Sequence, residues 1–120
     1  MFDPSTRNDI TAELEQAEAA RARRNEGQAR VCARRAAGIA LRALLESRGL
    51  PAPGSAYDLL QWLERNEEMP ADLRQIAAHL LTRVNKQFQL PLEVDLLAET
   101  RRLVTALDEM TGDTNDFAHR

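Results

Sequence analysis

The stretch ARRAAGIALRALL, residues 33–45, constrains this chain more than any other. Ala33, Ala36, Ala37, Gly38, Ala40 and Ala43 are all small, while Leu41, Leu44 and Leu45 recur at helical spacing. Small side chains let a second helix approach closely, so the stretch reads as the central helix of a bundle. The rest of the chain agrees. Aromatic residues make up 4%, and no segment alternates in the way that a strand requires. Ala, Leu, Arg and Glu dominate, all good helix formers.

Five helices are expected. The first covers about residues 5–24, capped by Asp3 or Ser5, with Ile10, Leu14, Ala17 and Ala20 as its apolar stripe. NEGQ at 25–28 is the expected break, with Gly27 suited to a helix terminus. The second covers about residues 28–48 and stops at Gly49, before Pro51 and Pro53. Ser55 caps a short third helix that turns Leu59, Leu60 and Leu63 inward; Trp62 needs a partner for its N–H if buried. Pro70 opens a fourth, with Leu73, Ile76, Ala77, Leu80, Leu81, Val84 and Phe88 on one face. Pro91 marks the approach to a fifth, carrying Leu96, Leu97, Leu103, Val104 and Leu107 and stopped by Gly112. The fold class is therefore all-α, an antiparallel up-and-down bundle of four long helices plus one short one. Residues 1–112 form one domain, and 113–120 are expected to be a frayed tail.

Several functions are excluded or disfavoured. No run of about 18 apolar residues exists, so no membrane partner is expected. The polar start MFDPSTRNDI is not a secretory signal, and a cytoplasmic location is expected. A lone cysteine, Cys32, excludes an internal disulfide and a cysteine-built zinc site; among alanines it reads as a core residue. The five glycines are isolated, so there is no phosphate-cradling loop. Glu64, Glu67, Glu68 and Asp72 gather at a helix break, where negative charge suits a helix start. No metal and no cofactor are expected, and His119, in the tail, is given no role.

The charge is uneven. Residues 21–48 hold eight arginines against Glu26 and Glu46, in a chain whose net charge is −3. One reading makes this a phosphate-facing surface, with Arg30, Arg34, Arg35 and Arg42 as the nucleotide- or RNA-binding set. The other makes it a solvated face whose arginines pair with acidic neighbours. No aromatic residue is interleaved to stack a base, and no DNA partner is expected.

The segment ARVCARRAAGIALRALLESRGLPAPGSAYDLLQWL, residues 29–63, resembles a HEPN domain, a small helical domain often found beside nucleotidyltransferases. The likeness lies in the alanine pairs and leucine cluster, then a glycine, a proline-containing loop and the DLL of a short helix. It continues through LPLEVDLLAETRRLV, residues 90–104, and spans roughly residues 10–108 in all. Two places differ: Ala56-Tyr57 stand where many relatives have a histidine before the Asp-Leu pair, and Gly38 stands where relatives often carry a glutamate. The resemblance implies a homodimer with a cleft at or near its interface. Some members cleave RNA through an arginine and a histidine four to six residues apart. Others are non-catalytic partners of a nucleotidyltransferase, or nucleotide binders.

Arg74 and His79 have that spacing, in DLRQIAAHLL. The residue types suit RNA cleavage, a histidine to move a proton and an arginine to hold a phosphate. At about 100° per residue, however, His79 falls about 140° around the helix from Arg74, so the two diverge within one chain. His79 instead shares a polar ridge with Gln75 and Arg83. Three functions are expected as alternatives. The first is a dimeric interaction module, partner of a nucleotidyltransferase and capable of binding a nucleotide. The second is a metal-independent, toxin-like endoribonuclease of a toxin–antitoxin pair, using Arg74 and His79 across the dimer. The third is a purely structural helical dimer.

Overall fold

A computed structural model describes residues 1–82 and 95–112, and among them every regular element is a helix. Local chemistry sets each helix end. Helix α1 (Pro4–Ala22) starts on Asp3, whose carboxylate accepts from Thr6 N at 2.8 Å, with Pro4 in the first turn. That backbone hydrogen bond lowers the Asp3 pKa from its ordinary value. The helix ends on Arg24, which takes the left-handed conformation at φ +60° while Asn25 N donates back to Ala20 O. Gly27, expected to supply that break, lies inside the first turn of α2 (Glu26–Ser47). Asn25 explains the shift: its side chain accepts from Gln28 N at 3.0 Å and caps α2 two residues earlier.

Helix α2 stops at Arg48, and Gly49 turns the chain at φ +70°. Ser55 caps α3 (Ala56–Arg65), accepting from Asp58 N at 3.0 Å. Helix α4 (Ala71–Leu81) has Pro70 as its N-cap, one position before the first-turn place expected, and no side-chain cap. It ends where Thr82 turns to extended backbone. Of the face expected there, Leu73, Ile76, Ala77 and Leu80 are buried, while Val84 and Phe88 lie outside the described residues, as does Pro91. Two of the five described helices are short, with 10 and 11 residues. Helix α5 (Leu96–Gly112) is capped by Asp95, which accepts from Leu97 N and Ala98 N, each at 3.1 Å. The tail expected to fray, 113–120, lies outside the described residues.

The long-range bonds give the directions of the helices. Phe2 N donates to Asp108, Arg101 meets Glu18 and Arg21 meets Asp95, so α1 and α5 are antiparallel. Arg34 meets Leu80 O and Arg30 meets Thr82 O, so the end of α4 lies beside the start of α2, and these two are antiparallel as well. Helix α2 is the axis, contacting each of the other four. Its Cys32, Ala33, Ala36, Ala37, Ala40 and Leu41 are completely buried. At Gly38 the packing is closest. A Cβ added there would sit 2.8 Å from Ala56 Cβ, nearer than real side-chain contacts come. A glycine in mid-helix costs about 0.5–1 kcal/mol relative to alanine, and here it lets α3 begin directly on the axis. Trp62 is half-buried against the core.

Candidate functional site

The Arg74–His79 pair sits on α4, where its two members hold different partners. Arg74 Nε donates to Met69 O at 3.1 Å, tying the helix to the turn before it. His79 faces α5, where Nδ1–H donates to Glu99 Oε1 at 2.7 Å. Both side chains are mostly shielded, 17% exposed for His79 and 14% for Glu99. Arg102 approaches the second oxygen of Glu99 at 3.4 Å. With Nδ1 donating, the neutral ring offers Nε2 as an acceptor. The ridge expected to face water is therefore uneven. Gln75 is exposed, His79 turns onto α5, and Arg83 lies outside the described residues.

The arginines of α2 have partners that neither expectation named. Arg30 donates to Thr82 O, and Arg34 Nε to Leu80 O at 2.5 Å. These carbonyls belong to the end of α4, where a helix leaves its last acceptors without internal partners and carries negative dipole charge. Arg42 Nη2 donates to Pro53 O at 2.6 Å and holds the loop before α3. Arg48 reaches Met110 O near the end of α5. Of the four candidate phosphate ligands, Arg35 is the one exposed, while Arg30, Arg34 and Arg42 are half-buried. Backbone carbonyls thus hold three of these four.

Charged pairs do gather elsewhere, along the seam between α1 and α5. Arg7 meets Asp108 at 3.6 Å, Arg101 meets Glu18 at 2.5 Å, and Arg21 meets Asp95 at 2.9 Å. Arg21 also reaches Glu26 at 3.2 Å. Burial alone would lower the Arg21 pKa, but Asp95 and Glu26 outweigh it and raise the value. The Asp95 carboxyl is lowered, first by the Ala98 N–H and then by Arg21.

Beside a shallow polar dish of about 600 Å³ around Asp58, Gln61, Arg65 and Glu68, two concavities are lined by residues of both α2 and α3. One, of about 470 Å³, is an open groove between α1 and α2, reaching the start of α3. Asp9 and Glu13 line its α1 wall, Arg35, Arg42 and Glu46 its α2 wall, and Gly38, Ile39, Ala43 and Ala56 its floor. Among the described residues none of these five charged side chains makes an ion pair. Glu13 Oε2 is buried with no hydrogen-bond partner. The other, of about 400 Å³, is more enclosed and more apolar, lined by Leu44, Leu45, Trp62, Met69 and Met110 with Arg48 at its edge.

Sequence reasoning missed the His79–Glu99 contact, because it depends on how α4 is rotated against α5. The groove was equally hidden, although Asp9 and Glu13 are four apart on one helix face and Arg35 and Arg42 seven apart on another. Among the described residues no cluster of three metal-ligating side chains occurs, and no helix is long and apolar enough to cross a membrane. Compared with known protein families, curated proteins and solved structures, the chain matches none.

Proposed function

We propose that this chain is a HEPN-like, dimeric helical-bundle interaction module that docks a nucleotidyltransferase. One observation carries the choice of a docking module over an enzyme: Arg74 and His79 are held by different partners, Met69 O and Glu99. A phosphate needs convergent donors, and here the two side chains lie on different flanks of α4. The arginines of α2 add weight, since Arg30, Arg34 and Arg42 secure carbonyls of α4 and the 50–55 loop. Nucleotide binding, if it accompanies docking, falls to exposed Arg35. The partner class rests on the resemblance of residues 29–63.

A second reading has one observation in its favour. A carboxylate on His79 Nδ1 orients the ring and leaves Nε2 to accept a proton, an arrangement suited to a general base. In this reading the chain is a metal-independent endoribonuclease, and Arg74 of a second copy supplies the phosphate contact.

Incubating mixed-sequence RNA with the purified protein, without metal, separates the two. The docking module leaves the RNA intact. Cleavage that disappears in both Arg74→Ala and His79→Ala, with helicity retained, would overturn it in favour of the ribonuclease.

A further inference from the structure

The enclosed cavity beside Trp62 lies where the ends of α2, α3 and α5 meet. Gly49 turns the chain at φ +70° and Leu50 N donates back to Leu45 O at 2.9 Å, which folds Leu50 over the end of α2. After α3, Asn66 Oδ1 accepts from Glu68 N and Asn66 O accepts from Met69 N, each at 3.0 Å. That tight turn carries Met69 into the core. Met110, near the end of α5, adds to the wall.

Leu44, Leu45 and Met69 are buried, yet the space that they line with Trp62 stays open over about 400 Å³. Pockets that hold small molecules measure about 300–1,000 Å³ and set a few polar groups among apolar walls. Two methionines, unbranched and flexible, let such a wall adapt to what fills it. The polar groups at this rim are chiefly donors. Trp62 Nε1 makes no hydrogen bond among the described residues, and Asn66 uses its side-chain oxygen but not its amide N–H groups. Arg48, tied to Met110 O, brings a positive charge and a five-donor guanidinium to the same rim. Glu68 stands there too, but it is exposed while Arg48 is half-buried, and water and salt screen an exposed charge more. Arg48 therefore sets the sign of the head group, and Glu68 disfavours one that is doubly charged, such as phosphate.

We propose that this cavity binds a small amphipathic acid, with its apolar body against the leucines, methionines and Trp62 and a single carboxylate at Arg48. The site goes beyond the docking reading and does not depend on it.

Trp62 is the only tryptophan, so its emission reports on the cavity directly. The test titrates the full chain with three probes of equal chain length: decanoate, decanol and decylammonium. Decanoate is expected to shift Trp62 emission to shorter wavelength, by excluding water from the indole, and to saturate. It is expected to bind about tenfold tighter than decanol, the worth of one charge-assisted contact. Decylammonium is expected to bind weakest. That order runs against the net charge of −3, which favours the cation in any non-specific adsorption. Arg48→Gln is expected to bring decanoate down to the level of decanol. Leu50→Glu, at an exposed position on the rim, is expected to weaken decanoate more than decanol, and it carries the test if Arg48→Gln fails to fold. The absence of a saturable shift, or any other order of the three probes, overturns the proposal. So does a preference for decanoate that survives both substitutions.

Discussion

Helix α1 has two flanks that carry similar charges and treat them in opposite ways. Towards α5, its Arg7, Glu18 and Arg21 each meet an opposite charge on or just before the facing helix. Towards α2, its Asp9 and Glu13 face Arg35 and Arg42 across a groove without making an ion pair among the described residues. The same types of side chain on the same helix do not differ in propensity or reach. What differs is the space between the walls. The α1–α5 seam is finished within one chain, whereas the groove keeps its walls apart with α3 seated at one end on Gly38. Among the described residues, then, one flank of the helix is closed and paired, and the other is open and without ion pairs.

The largest effect should come from the contact that shapes the groove's floor. Gly38→Val drives side-chain atoms into the Ala56 backbone and is expected to cost about 2 kcal/mol, by the usual cost of overpacking. Urea denaturation reads it, and a loss below about 0.5 kcal/mol would mean that α3 can shift freely and that the groove is not built as described.

A smaller effect compares the two flanks directly. Arg21→Glu removes contacts with Asp95 and Glu26 and sets like charges together, for an expected loss of about 1 kcal/mol at low salt. Asp9→Lys, on an exposed side chain, should change stability by less than about 0.5 kcal/mol. Equal losses from both would erase the distinction drawn between seam and groove.

The smallest effect follows pH. The Ala98 N–H and Arg21 hold the folded Asp95 carboxyl below its ordinary value of 3.8. Its contribution is therefore complete above that value and drains away as pH falls through the lowered one. Asparagine still caps a helix but cannot pair with Arg21 as a charge. Asp95→Asn should thus trail wild type by a few tenths of a kcal/mol near neutrality, since the site is half exposed. The gap should close in acid below about pH 4, as followed by thermal melts. A gap that widens in acid would remove Asp95 from the seam.

Much of the architecture was legible because it is written in short-range chemistry. Ser55, Asp3 and Gly49 announce helix ends through groups within three residues of them. The leucines and alanines of α2 announce a buried axis through their period. The break after α1 was misplaced by Gly27, because the side chain of Asn25 competed for the cap and Arg24 accepted the left-handed conformation. The candidate site was less legible. His79 and Glu99 are 20 residues apart, and only the rotation of α4 against α5 brings them together. Arg30 and Arg34 looked like phosphate ligands because sequence displays a guanidinium's charge and conceals the carbonyls that hold it.

That last point reaches beyond recognition. A guanidinium bonded to a carbonyl keeps its proton and its full charge at any pH that a protein survives. Arg30, Arg34, Arg35 and Arg42, with Arg48 at the helix's end, form a short row of fixed positive charge along the molecule's own axis. Acid discharges the carboxylates on the surrounding helices and leaves the row fully charged. The mutual repulsion then rises along the one helix that every other helix touches, which makes that axis the place where acid weakens the bundle's electrostatic balance most.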